Sequence, residues 1–264
     1  MRRSLLSMRH GRKMKHIRLP LRDPRTVARD VPGILDILFP RLSGGLVAFL
    51  NKKAFSFSDV SAIPDDDVEA SKLQRAMLFE LSVARAEQIL GGREPPDWDD
   101  CLRVAVDRQR LHYDARLPDS LEADDTRLAG WAAENLVKML RSVRNQNPMD
   151  ELDVAPRIPG FGWISSGVGD FSLGRLLIEV KHTARNFVAS DFRQILMYWM
   201  LKYAAALEKD EDVWTHCMLI NPRRNSGIIA KFDYLLGAAS GGASRVEIYE
   251  LMRSLVGDDL DRRI

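Results

Sequence analysis

The stretch VGDFSLGRLLIEVKHTARNF, residues 168–187, sets two acids and a lysine around an apolar run. Asp170 stands just before a turn-like segment, SLGR, that contains Gly174. Glu179 and Lys181 then fall two residues apart inside LLIEVK. In an extended strand, residues i and i+2 share a face. The spacing therefore predicts that Glu179 and Lys181 project together, while Ile178 and Val180 turn to the opposite, buried face. A reversal at SLGR folds the preceding strand back antiparallel and carries Asp170 beside Glu179.

Two carboxylates converging at one end of a sheet offer hard oxygens to a divalent cation. Mg2+ in particular takes one or two carboxylates, keeps several waters and completes its shell with substrate phosphate. A neighbouring lysine does not suit a plain cation site, because it repels the ion. It does suit a site where water must lose a proton and attack phosphorus. There an ammonium orients the nucleophile and offsets charge in the transition state. A Glu-x-Lys pair alone also marks ordinary solvated strand faces. The upstream Asp170, the intervening turn and the helical spacing that follows set this one apart.

Working outward, Pro and Gly punctuate short apolar runs from 152 to 183, which predicts strands joined by tight turns. SDFRQILMYWMLKYAAALEK returns to helical spacing, with Ser190 as N-cap and Asp191 in the first turn. VWTHCMLINP reads as a strand, and GIIAKFDY as another. The last helix opens at SRVEIYELMRSLVG, where Ser244 and Glu247 have capping-box spacing. Upstream, IPDDDVEASKLQRAMLFELSVARAEQILGG predicts one amphipathic helix with acids at its entrance and glycine at its exit. DDCLRVAVDRQRLHYDARL predicts a second helix, and residues 124–145 a third. HIRLPLRDP reads as extended, and GGLVAFLNKKAFSF fits a strand or a short helix. The chain divides into a mainly helical region, 1–120, and an α/β region, 121–264.

Bulk properties narrow the class. The 264 residues are 45% hydrophobic and 29% charged, with a net charge of +2, so the molecule as a whole is no polycation. The charge is uneven: residues 1–25 carry Arg2, Arg3, Arg9, Arg12, Lys13, Lys15, Arg18, Arg22 and Arg25 against Asp23 alone. Such an arm suits nucleic acid backbone, a solubilising tail or a contact with another subunit. Two cysteines, Cys101 and Cys217, are too few for a disulfide scaffold or a cysteine-only metal cluster. No apolar run approaches transmembrane length, and charges interrupt the N-terminus where a signal peptide needs its apolar core. The expectation is a cytoplasmic protein with no membrane partner.

GDFSLGRLLIEVK resembles the D–x(n)–E–x–K signature of the PD-(D/E)XK nuclease superfamily. RQILMYW adds Gln194 and Tyr198 at Q-x-x-x-Y spacing, one turn apart on the following helix. That pairing is similar to the branch containing recombination-type exonucleases and CRISPR-adaptation nucleases. The likeness covers about 100 of the 264 residues, and Gly169 stands where the proline of the motif name would be. It implies a restriction-endonuclease-like core, α-β-β-β-α-β, with a mixed central sheet flanked by helices. It further implies a metal-dependent deoxyribonuclease using Mg2+, for which Mn2+ can substitute. Asp170 and Glu179 become metal ligands, joined by the Val180 carbonyl and by Glu134 on the preceding helix. Glu80 and Glu87, on an earlier helix, are the alternatives to Glu134, which also reads as a surface glutamate. Lys181 would position the attacking water, and Gln194 and Tyr198 would support the metal and the scissile phosphate.

His182, Arg185 and Arg193 follow the strand closely and suit contacts with the phosphates of DNA, although the two arginines also fit local caps or ion pairs. Beyond DNA, the resemblance implies a bacterial defence or repair assembly, with protein partners or a second copy of the chain. Two rivals stand beside it. One is a non-cleaving nuclease-fold subunit that binds nucleic acid or scaffolds a complex. The other is a metal-dependent phosphodiesterase acting on small nucleotides.

Overall fold

The computed structural model of the chain describes residues 21–110, 114–209 and 211–261. In chain order it begins with helices α1 (Pro24–Asp30), α2 (Pro32–Leu38), α3 (Gly44–Asn51), α4 (Asp65–Ala70), α5 (Arg75–Leu90), α6 (Trp98–Gln109) and α7 (Ala123–Gln146). Strands β1 (Leu152–Val154), β2 (Arg157–Ile158), β3 (Gly167–Val168), β4 (Phe171–Leu173) and β5 (Leu176–Val180) follow. Then come α8 (Ala189–Lys209), β6 (His216–Asn221), β7 (Ser226–Lys231), α9 (Phe232–Ser240) and α10 (Arg245–Asp261).

One mixed sheet, in the order β1-β4-β5-β6-β7, is flanked by helices; β2 and β3 form a separate ribbon. Only β5 and β6 run parallel, and all other neighbours are antiparallel. Parallel neighbours cannot be joined by a tight turn, so α8 crosses over between them. β4 and β5 meet in a tight turn, with Leu173 opposite Leu176. Gly174 in that turn has φ +51°, and a Cβ there would lie 2.5 Å from the Asp150 carboxyl carbon. The positive φ favours glycine, and a Cβ would also oblige the Asp150 carboxylate to swing aside. The turn fixes the register Phe171↔Ile178, so Asp170 arrives beside Glu179 as the alternation predicts.

Side-chain alternation splits the core. Leu177, Cys217, Leu219 and Ile228 face α8 together with Val27 of α1 and Leu35 of α2. Phe171, Ile178, Val180 and Met218 face the other way, onto Val83 of α5 and Leu136 and Leu140 of α7. A third cluster joins α4 to α7 through Val68, Leu81, Cys101 and Leu128. The apolar clusters do not part at residue 120, because helices from the first 51 residues share the core of α8. Ile178 and Val180 take a buried face, as expected, but the face of Glu179 is buried too. Every residue of β5 is covered.

Several elements differ from expectation for identifiable reasons. The single helix expected over 63–92 is two, broken at Ser71–Gln74. Ser71 Oγ accepts the Leu73 N–H at 3.2 Å and donates to Asp125 at 2.7 Å, drawing the backbone out of helix. GGLVAFLNKKAFSF resolves into α3 followed by a bridge from Phe55 to Gly227. The second helix stops at Gln109, short of the expected 117. α8 starts at Ala189, one residue before the expected cap, and the Asp191 carboxylate accepts the Val188 N–H at 2.9 Å. The capping box of the last helix forms: Ser244 N donates to Glu247 at 2.8 Å, and Glu247 N to Ser244 Oγ at 3.3 Å. Most of HIRLPLRDP, and the basic residues from Arg2 to Arg18, lie outside the described residues. Among the described residues, no helix is long and apolar enough to cross a membrane.

Candidate functional site

β4, β5 and α8 bring five of the expected side chains together. Asp170 accepts the Val180 N–H at 2.7 Å, which fixes its carboxylate against the end of β5. Glu179 points from β5 toward α8 and is 0% exposed. Lys181, also buried, donates from Nζ to Glu179 Oε1 at 2.8 Å and to Gln194 Oε1 at 2.9 Å. Gln194 in turn donates from Nε2 to Glu179 Oε1 at 2.5 Å and to the Tyr198 hydroxyl at 2.9 Å. The i, i+4 spacing on α8 puts both of these side chains over β5.

Only one oxygen of Glu179 is satisfied this way. Oε2 is buried and has no hydrogen-bond partner. An orphaned carboxylate oxygen is costly to bury, and the cost is removed by a cation. Burial drives the Glu179 carboxyl above its usual range, the Asp170 charge adds to the rise, and Lys181 and Arg25 oppose it. Burial likewise pushes the Tyr198 phenol up, with Glu179 adding to the effect.

Arg25, from α1, completes the constellation. Its Nη2 lies 3.4 Å from Asp170 Oδ1 and 4.0 Å from Glu179 Oε1. Burial works against its charge, yet Asp170 and Glu179 hold its protonation up. Sequence reading placed Arg25 only within a basic arm. No local pattern announces that α1 docks on α8 and aims this side chain at a strand 145 residues away.

Two cavities flank Arg25, Phe79 and Glu80. One, of about 410 Å3, reaches Asp170 and Tyr198. The other, of about 360 Å3, reaches Glu179, Lys181, His182 and Gln194, with Arg29 and Arg75 on its wall. His182 is buried with neither ring nitrogen partnered. Burial and the nearby Arg223 and Arg75 charges push it down to about 4, so it is neutral at pH 7.

Three expected residues lie elsewhere. Glu134 is exposed on α7 and lines a surface hollow beside Trp98 and Trp131. The glutamate that borders both cavities is Glu80 of α5, held above its ordinary range chiefly by burial, with Arg108 opposing. Arg185 is drawn to the start of α8, 3.2 Å from Asp191, and Arg193 pairs with Asp36 of α2. Local ion pairs hold both arginines, and neither lines the two cavities. Among the described residues, no three His, Cys, Asp or Glu side chains converge on one point. A cation here would thus draw on two carboxylates, with backbone carbonyl, water and substrate completing its shell. Mg2+ accepts that donor set, and the orphaned Glu179 oxygen fits it.

Comparison with known proteins finds no matching family model, curated protein or solved structure.

Proposed function

We propose that the chain is a Mg2+-dependent nuclease of the PD-(D/E)XK type, hydrolysing phosphodiester bonds in DNA. The observation that carries the reading is the buried network of Glu179, Lys181, Gln194 and Tyr198, with Asp170 held beside it on the Val180 N–H. A lysine sealed against a glutamate with an unpartnered oxygen has little structural purpose, since an apolar pair of similar size costs less to bury.

In this reading Asp170 and Glu179 hold the metal, with Mn2+ able to replace Mg2+. A cation held by these two residues would supply positive charge at a phosphoryl oxygen and would lower the pKa of a water toward neutrality. The protein's own part is positional. Gln194 fixes both Glu179 and the Lys181 ammonium. That ammonium would meet the attacking water and a phosphate oxygen, and Tyr198 keeps Gln194 in place. The basic wall of Arg29 and Arg75 draws in the anionic strand. A cytoplasmic role in a bacterial defence or repair assembly is the setting the resemblance implies.

A second reading, a non-cleaving nucleic acid subunit, is favoured by Arg25, which already neutralises the acids. A panel of duplex DNA, single-stranded DNA, RNA and nucleotides, with Mg2+, Mn2+ or chelator, separates the readings. Metal-dependent cleavage of DNA supports the nuclease. Nucleic acid binding indifferent to metal and to Asp170→Ala, with no cleavage, supports the second reading.

A further inference from the structure

Arg25 occupies the place that the nuclease reading gives to a metal. Its guanidinium lies 3.4 Å from Asp170 and 4.0 Å from Glu179. A dication on the same two carboxylates would face that charge at close range, beside the fully buried Glu179, and like charges so placed repel. Glu179 also keeps Lys181 as a partner. The two acids thus have no need of both Arg25 and a metal.

The backbone of α1 is not free to retreat. Val27 and Ala28 are fully buried in the core shared with α8, and Asp23 caps the helix by accepting the Thr26 N–H at 3.0 Å. The Arg25 side chain is held by its ion pair with Asp170, yet it is 29% exposed and borders both cavities, which leaves space for it to turn once that pair is broken. The 360 Å3 cavity on one side presents Arg29, Arg75 and Lys181 beside the carboxylates of Glu80, Asp114 and Glu179, so a phosphate would find cationic partners there on the Arg29 and Arg75 wall.

We propose that Arg25 is the resident counter-ion of the metal site. A divalent cation displaces its guanidinium, which turns into the 360 Å3 cavity and grips the substrate phosphate. The proposal rests on the nuclease reading and adds to it a residue with two alternating partners. It makes metal and nucleic acid bind cooperatively, because each removes Arg25 from the other's way or supplies its new partner. Such coupling is reciprocal: Mg2+ must tighten nucleic acid as much as nucleic acid tightens Mg2+.

The test is Mn2+ binding by calorimetry, without nucleic acid, to wild type, Arg25→Gln and Asp170→Asn. Arg25→Gln should bind Mn2+ about tenfold more tightly, because a competing positive charge is gone. Its cleavage at saturating metal should fall by about 10²-fold, the cost of losing one donor to the transition state. Unchanged or weaker Mn2+ affinity overturns the proposal, as does tighter Mn2+ binding with undiminished or faster cleavage. If wild type and Asp170→Asn bind Mn2+ alike, or not at all, the nuclease reading itself fails. A readout on the wild type covers poor folding of the variant: the Arg25 Nε–H resonance should shift on Mg2+ titration. A resonance that Mg2+ leaves unmoved, in protein that calorimetry shows to bind the metal, overturns the proposal.

Discussion

Gln194 on α8 donates to Glu179 on β5 at 2.5 Å while accepting from Lys181 at 2.9 Å, so one amide joins the acid and the base of the network. Gln194→Leu removes both bonds and leaves two buried charged groups short of partners. The expected loss is about 1–3 kcal/mol of stability per group left unsatisfied. Urea denaturation should show it as a lower midpoint with an unchanged slope. Cleavage should fall further than stability alone explains, because Lys181 loses its aim.

His182 sets a pH dependence. Its folded pKa, about 4, lies below the ordinary 6.5, because burial and two arginine charges resist protonation. The unfolded chain therefore binds the extra proton first as pH falls. The contribution is fully present above pH 6.5 and is lost as pH falls toward 4, about 3 kcal/mol in all. A nearby divalent cation would push the same way. His182→Gln should flatten the stability profile over that window, measured by denaturation at fixed ionic strength; an identical slope contradicts the assignment.

Gly174→Ala tests the turn that aligns Asp170 with Glu179. The φ of +51° opposes a side chain, and the Asp150 carboxylate would have to move aside for it. The expected cost is about 1–3 kcal/mol, read from the thermal midpoint.

Glu134 and Glu80 give opposite expectations. Glu134→Ala should change stability by less than about 0.5 kcal/mol and leave cleavage alone, as exposed substitutions do. Glu80→Gln alters the wall shared by both cavities and should change nucleic acid affinity, measured by fluorescence anisotropy.

What the sequence made legible follows the range of the forces involved. The period-2 pattern of LLIEVK and the glycine of SLGR are local, so β5, its turn and the pairing of Asp170 with Glu179 could be read directly. Gln194 and Tyr198 came from the Q-x-x-x-Y resemblance; helical spacing adds only that they share one face of α8. Glu134 came from the resemblance, with a surface glutamate as the other reading; its exposed position on α7 fits the latter, and a place on a helix does not say which face meets the sheet. Glu134 turns outward on α7 and Trp131 packs against the α4–α7 cluster, whereas Ala133 and Leu136 face the strands. Arg25 was invisible as a site residue for the complementary reason: its role depends on α1 docking across the chain onto α8. Arg185 and Arg193 carried the right charge in the right segment, but nearer acids captured both.

The central claim is that the network around Lys181 performs metal-dependent cleavage, and Lys181→Ala tests it most directly. The measurement is the single-turnover rate of DNA cleavage in Mg2+ by wild type and variant, with circular dichroism and the melting midpoint confirming the fold. Lys181→Met, which keeps the buried stem, guards against collapse of the site. The account predicts Mg2+-dependent cutting by wild type and a loss of at least about 10²-fold in both variants, the usual weight of a group that handles the proton or the nucleophile. Undiminished cutting by a folded Lys181→Ala protein, or no cutting of any DNA by wild type, would contradict it.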